Sequence, residues 1–335
     1  MNQRPESADM QIKIAGTGRA LPHKAVPSSA WDARLGLESG HLETATGVAM
    51  RHVCEGESQV DLAVTACTNA LANAGLTASE VGLVIGAQAV PYQPIPATAP
   101  LVMQRLGFAD GQAAGFDVNA TCLSFVTALE QAAMAVDTGR VSAALVFSSE
   151  IASRALPWDS QPEIAALFGD GAGAAVITRA DAGGVVATLM RTFPSGYDDC
   201  AIGAGGTRFD FHETPDEFAA HARFQMDGRR LFRLTSVHFR GFVDDLLARA
   251  GWGVDDVDLI VPHQASPFAL GHMIRQTGFA ADRVVNIAAE VGNQIAASIP
   301  FGLDVARRDG RMRGKVLLLG TSAGVSFGGL ALEVA

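Results

Sequence analysis

Residues 115–125 read GFDVNATCLSF, and the fold turns on how this stretch is parsed. Phe116 and Val118 read as the end of a buried strand, and the small and polar residues after them as a turn. The chain then enters an apolar, Ala-rich run over residues 123–136 that reads as a helix. Cys122 falls at the hinge, where the first turn of that helix begins. Unpaired backbone N–H groups and the positive end of the helix dipole favour a thiolate at such a place, so the position predicts an activated cysteine. Taken alone, the stretch also fits an inert cysteine that packs as a small hydrophobe.

The flanking sequence supplies the context. Residues 58–74 have helical spacing, with Leu62, Ala63, Ala66, Leu71 and Ala72 on one side, Ser58 as N-cap and Gly75 as C-cap. Residues 11–16, 81–87 and 143–148 read as strands, the last two buried on both faces. Residues 90–100 are broken by prolines and read as a loop, residues 101–106 as a helical turn, and residues 1–10 as a loose tail. FGDGAGAAVI, residues 168–177, reads as a tight glycine turn feeding a further strand.

The second half repeats this order. Residues 246–265 (LLARAGWGVDDVDLIVPHQA) align without a gap on residues 70–89 (ALANAGLTASEVGLVIGAQA), and residues 284–322 parallel residues 116–148. Two matches in one order argue for internal duplication. The expectation is an α/β fold of two halves, residues 10–180 and 181–335, each with a mostly parallel sheet and with helices shared in the middle. The alignment sets Asn293, in GNQIAASIP, against Cys122, and His263 against Ala87 at a strand end. All three then lie at the carboxyl ends of strands, where parallel α/β sheets bind ligands.

Composition narrows the function. Hydrophobic residues are 48% of the 335 and charged residues 18%, enough for a large, well-covered core. A net charge of −10 argues against a surface for nucleic acid or an anionic membrane. The four cysteines, Cys54, Cys67, Cys122 and Cys200, show no CxxC spacing and no paired histidine pattern, so neither a metal site nor a disulfide framework is expected. No signal peptide and no membrane span are legible, and the expectation is a soluble cytoplasmic protein.

A thiolate at a helix start attacks acyl thioesters and holds the acyl group covalently. A neutral histidine and an asparagine can stabilise an oxyanion or enolate opposite it. No carboxylate stands out as a base beside the three, which suits a carbanion made by decarboxylation. The glycine stretches FGDGAGAAV and GTSAGVSFGG lack the marks of phosphate loops and read as close-packed turns between strands. The second is expected to place a backbone N–H of Ala323 or Gly324 beside the Cys122 N–H as an oxyanion hole.

KIAGTGRALP, TGVAMRHV, FDVNATC, FGDGAGAAV, MDGRRLF, HQAS, GNQIAASIP and SFGG run nearly end to end along the chain. Together they resemble the thiolase superfamily and, within it, the ketoacyl synthase III type. Cys122, His263 and Asn293 fall on that family's Cys-His-Asn triad. The resemblance implies duplicated βαβαβαββ halves in a five-layered α-β-α-β-α core, usually a homodimer, and a ping-pong decarboxylative Claisen condensation. It implies substrates that are CoA or phosphopantetheine thioesters, with acyl-CoA or an acyl carrier protein as partner and no bound cofactor or metal. Departures are visible as well. The family's Trp-x-x-x-Arg clamp for CoA is replaced by His41 and Ala45, while Arg154 retains half of the clamp. The family's HQAN-x-R is HQAS-P-F here, with Ser266 and Phe268. The head-to-head condensing enzymes of olefin synthesis use a partner-subunit glutamate where this chain has Ile95. Ile95, Phe168 and Met226 are candidates to line the acyl pocket. Other readings of the cysteine are an acyltransferase or thioesterase, a non-catalytic subunit of a heterodimer, and a papain-like protease, whose chain context is absent.

Overall fold

The structure, a computed structural model, describes residues 9–335. The expected tail falls largely outside the described residues, and Met10 is already bridged to Val185. The main elements of the first half are β1 (Ile12–Ala20), α1 (Gln59–Ala74), β2 (Leu83–Ala87), α2 (Thr98–Arg105), β3 (Ala114–Val118), α3 (Ser124–Asp137), β4 (Ala143–Glu150) and β5 (Gly171–Arg179). Those of the second are β6 (Gly184–Thr192), α4 (Gly228–Ala250), β7 (Leu259–Pro262), α5 (Pro267–Thr277), α6 (Ser298–Arg308), β8 (Gly314–Ser322) and β9 (Ser326–Val334).

The two sheets share one strand order. The first runs β1-β5-β4-β2-β3 and the second β6-β9-β8-β7, and a parallel bridge of Val284 to Ile260 stands in the place of β3. The sheets are mixed rather than mostly parallel. β2 pairs in parallel with β3 and β4, but β5 returns antiparallel to β4, as β9 does to β8. Strands joined by a direct return pair antiparallel, and only crossover connections give parallel neighbours.

Five layers follow from where apolar side chains alternate along the strands. On β4, Leu145 and Phe147 face α1 and α2. On the same strand, Ala144 and Val146 face inward with Ile85. On β8, Leu317 and Leu319 face Phe242 of α4 and Leu270 of α5. Between the sheets lie α3 and α6, whose Phe125, Leu129, Ile299 and Leu303 pack against Val146 on one side and Leu318 on the other. Strands covered on both faces read as unbroken apolar runs for this reason.

Local signals fix the ends. Ser58 caps α1 in a capping box with Asp61, and Gly75 closes it in the left-handed region at φ 68°. α2 starts at Thr98, earlier than its own sequence suggests, because its cap is distant. Asp117 of β3 accepts the N–H groups of Thr98 and Ala99 at 2.6 and 2.8 Å. β4 runs on to Glu150, which carries a carboxyl into the interior.

The register of the duplication also differs from the sequence alignment. α3 and α6 begin at Ser124 and Ser298, each after one 3-10 turn, Thr121–Leu123 and Ile295–Ala297. Among the described residues, Thr121 and Ile295 are the two non-glycine residues with positive φ, at 53° and 52°. The twin of Asn293 is therefore Asn119, and the twin of Cys122 is Ala296. The second half holds the extra helical turn Ala288–Val291 before this junction, which a continuous alignment cannot see.

The central layer should dominate stability. Phe125→Ala, at a site with no exposure, is expected to lower the unfolding free energy by about 3–5 kcal/mol, read from urea denaturation.

Candidate active site

Cys122 sits in the 3-10 turn ahead of α3. Asn119 Oδ1 accepts the Thr121 N–H at 2.9 Å, and Ser124 Oγ donates to the Thr121 carbonyl at 2.6 Å and accepts the Ala120 N–H at 2.9 Å. Asn293 repeats the motif, its Oδ1 accepting the Ile295 N–H at 2.8 Å. With the oxygen so engaged, the amide orientation follows from bonding: Nδ2 must be the group presented as donor. Its one protein acceptor is the Ala265 carbonyl, at a long 3.4 Å. The Asn293 backbone is held between the Leu167 carbonyl and the Gly169 N–H, at 2.8 and 3.1 Å.

His263 follows β7, and its N–H donates to the Leu319 carbonyl at 2.8 Å. The neighbouring Gln264 is buried and clamps Pro262, Val285 and Ile287 through its amide. The glycine stretches are close-packed as expected, but as strands rather than turns: Gly171 and Gly173 lie in β5, Gly320 in β8, and Gly328 and Gly329 in β9, with only Gly324 in a turn. A Cβ on Gly320 would lie 2.8 Å from the His263 Cβ, and one on Gly328 would lie 2.9 Å from Leu123 Cδ1. Both approaches require glycine.

Burial governs the charges. His263, 5% exposed, is held neutral, its pKa lowered by desolvation to about 4, with a hydrogen bond to the Ile295 backbone pulling the other way. Cys122 departs from expectation. Desolvation, followed by the charges of Cys200 and Glu150, pushes its thiol well above the usual value. The backbone N–H groups of Cys122 and Ala323 hydrogen-bond to the sulfur and oppose the shift without reversing it. A single 3-10 turn carries less dipole than a full helix, and loss of water outweighs it. The free protein therefore holds a thiol here, not a standing thiolate.

Of the other expected residues, Ala323 lies at the sulfur, and Gly324 forms the adjoining turn at φ 110°. Phe168 is buried, bridged to Asn293 and edge-on to Phe224 at 5.0 Å. Met226 pairs with Cys200 in a two-residue ribbon. Arg154 is exposed. Ile95 is not pocket lining within this chain, because it stands 86% exposed on the proline-rich loop. Ser266 is the N-cap of α5, its Oγ accepting the Ala269 N–H at 3.0 Å, and Phe268 is 58% exposed on that helix. His41, in the place of the clamp tryptophan, pairs with Glu163 at 2.9 Å. Sequence reasoning missed the Trp31–Trp158 stack at 3.8 Å with Arg34 over Trp31. It also missed Cys200 and Glu150, whose charges act on Cys122. The signal for Glu150 was an acid ending the otherwise apolar run AALVFSSE.

The histidine shift sets a pH dependence. Its folded-state pKa lies below the ordinary 6.5, so the associated stability is present in full above about 6.5 and is lost as pH falls to about 4. Wild-type protein is expected to lose on the order of 3 kcal/mol more than His263→Asn between pH 7 and pH 4, measured by urea unfolding.

Known proteins agree with this architecture. Residues 116–193 match the family model of 3-oxoacyl-[acyl-carrier-protein] synthase III, and residues 247–334 match the model of that family's C-terminal part. Beta-ketoacyl-[acyl-carrier-protein] synthase III 3 of Streptomyces coelicolor is 36% identical over 326 residues, covering 95% of this chain and 96% of that one. The crystal structure of 3-oxoacyl-(acyl carrier protein) synthase III from Pseudomonas aeruginosa superposes with a TM-score of 0.86 at 31% identity, covering 96% and 98% of the two chains. The priming β-ketosynthase of a polyketide pathway gives 0.88 at 27% identity, covering 99% and 98%. Duplicated sheets, a cysteine turn ahead of a central helix and relatives matched over nearly their whole length converge: the chain belongs to the β-ketoacyl-[acyl-carrier-protein] synthase III family of acyl-transferring condensing enzymes.

Proposed function

We propose that Cys122 is the acyl-accepting nucleophile, and that His263 and Asn293 hold the thioester extender unit while it decarboxylates. One observation carries the reading: the Cys122 turn, with the Ala323 backbone at its sulfur, packs against the turn that follows Asn293, and Gly320 brings His263 and Leu123, the neighbour of Cys122, against one point of β8. In the first step Cys122 Sγ attacks the donor's thioester carbonyl. The oxyanion is met by the Cys122 and Ala323 N–H groups, and the donor's thiol leaves carrying the proton. A malonyl thioester then enters. Its carboxylate departs as carbon dioxide, leaving the electron pair as an enolate whose oxygen His263 and Asn293 stabilise. The enolate carbon attacks the acyl-enzyme carbonyl, the carbon–sulfur bond breaks as the β-ketoacyl product forms, and the Cys122 sulfur leaves as a thiolate that takes up a proton from solvent to restore the resting thiol. Gly324 shapes the turn that presents the Ala323 N–H. Phe168 and Met226 border the acyl chain, and Arg154 meets the CoA or phosphopantetheine arm.

An open groove of about 660 Å³ on α4, lined by Arg229, Phe232, Arg233, Ser236 and Val237, supports an acidic carrier protein as one donor. Its basic character stands out in a chain of net charge −10. A homodimer is supported by β3, an edge strand on which Phe116 is 39% exposed, and by exposed Val90, Tyr92 and Ile95 on the loop that follows its partner strand β2. We place the enzyme in the cytoplasm, where CoA and carrier thioesters are made.

Intact-protein mass spectrometry with a panel of acyl-CoAs and acylated carriers tests the reading. A mass gain matching one donor is expected for the wild type and not for Cys122→Ala. His263→Ala and Asn293→Ala are expected to acylate but to lose about 10²–10³-fold in carbon dioxide release from malonyl thioester. Acylation that survives Cys122→Ala would overturn the assignment. For the assembly, Phe116→Asp is expected to shift the protein from dimer to monomer in sedimentation.

A further inference from the structure

Glu150 ends β4, is 1% exposed, and has no part in the chemistry just described. Its Oε1 accepts the Ala89 N–H at 2.6 Å, just past the end of β2, and the N–H groups of Val90 and Ala296 also reach the carboxyl. The other oxygen, Oε2, is buried without a partner. A buried carboxylate oxygen left unpaired is costly and uncommon. The surroundings are built to hold this end of β4 in place. Ser148 Oγ donates to the Ala87 carbonyl, and the Gln59 amide donates to the carbonyls of Ser149 and Val90, at 2.6 and 2.8 Å. Ala296 belongs to the turn that Asn293 closes, and that turn packs against the turn of Cys122. One carboxyl therefore touches the loop after β2 and the asparagine turn, and its charge is felt at the nucleophile.

We propose that Glu150 is a positioning residue that rests as the neutral acid: its carboxyl joins the loop after β2 to the Asn293 turn, and when it ionises it sets a negative charge beside Cys122 that holds the sulfur as a thiol. Reactivity of Cys122 should then be restrained at alkaline pH, where an isolated thiol would gain it. Glu150 fits this role, since burial lifts its pKa to about 8, inside the working range. The titratable groups around it are few. Cys122 lies on the turn before α3, and Asp170 lies before β5, next to Gly171, the strand partner of Glu150. The loop after β2 and the Ile295–Ala297 turn present only backbone N–H groups to the carboxyl. Cys200, raised to about 11, and His263, lowered to about 4, bear on the Cys122 side and do not titrate near 8.

The inference rests on Cys122 as nucleophile for its catalytic consequence, but its test reads the sulfur alone. Full-length wild type and Glu150→Gln are treated with iodoacetamide from pH 6.5 to 9.5, and the rate at the Cys122 peptide is followed by mass spectrometry. Glutamine keeps an acceptor for the Ala89 N–H and cannot ionise. The expected result is a ratio of variant to wild-type rate near one at pH 6.5, rising through an inflection near pH 8 to about tenfold at pH 9.5. Glu150→Asp, which keeps the charge, should retain an inflection. A ratio constant across pH, whatever its size, would reduce Glu150 to a structural residue and overturn the proposal. Infrared difference spectra of the wild type give a second reading if Glu150→Gln does not fold. A buried carboxylic acid band present at pH 6.5 and lost by pH 9.5 supports the proposal, and its absence at pH 6.5 overturns it. None of these outcomes depends on malonyl condensation, so failure here and failure of the condensing mechanism are separable.

Discussion

Asn119 and Asn293 each accept the backbone N–H two residues ahead, at 2.9 and 2.8 Å, and so hold Thr121 and Ile295 at φ 53° and 52°. Both residues are β-branched, and the left-handed region disfavours them by on the order of 1–3 kcal/mol each. The strain lets the chain turn abruptly into a central helix, from the end of β3 at Cys122 and from the helical turn Ala288–Val291 at Ala296. It is held by burial: α3 and α6 are packed between two sheets, and neither helix start can relax without disturbing both. The positions of Cys122, Asn293 and the loops they meet all descend from this pair of side-chain bonds.

Desolvation is the common cause of the site's electrostatics, and it acts in the direction that favours neutral groups. It lifts Cys122 and Glu150 and lowers His263. At neutral pH the site is thus nearly uncharged, apart from the partial charges of aimed N–H groups. Such an interior stabilises negative charge only where it forms, at the oxygen of a tetrahedral intermediate or an enolate, because fixed donors need no reorganisation to meet it. Position at a helix start selects where Cys122 sits, while desolvation keeps its sulfur a thiol.

Much of this was legible in the sequence because it rests on local patterns. The continuous apolar strands, the capping of α1 by Ser58 and Gly75, and the duplication all follow from composition and spacing. What was not legible depends on distant partners. α2 begins at Thr98 because Asp117 caps it from β3. The match of Asn293 with Asn119 is hidden by an extra helical turn in one half. Glu150 looked like the polar end of a strand, and only the crossing of two turns over it makes it interior. Ser266 and Ile95 follow the same logic in reverse: a helix cap and an exposed loop residue, neither set against the nucleophile within this chain.

Duplication also explains why the site is single. Cys122 and His263 have twins that lack their chemistry, whereas Asn293 has a twin of its own kind. Cys122 answers to Ala296, Asn293 to Asn119, and His263 to Ala87 across the matched ends of β7 and β2. The strand registers pair Leu83 with Ala144 and Leu259 with Val316, so the twin of Glu150 is Ser322. Ser322 and Ala323 lie over the Cys122 turn, where a backbone N–H is wanted. Glu150 lies over the Ala296 turn, where no sulfur waits. The carboxyl accepts the Ala89 N–H through Oε1, and its place at the Ala296 turn is the counterpart of the place that Ser322 and Ala323 hold at the Cys122 turn. Buried N–H groups need an acceptor, and a carboxyl supplies one here, beside the turn that follows Asn293.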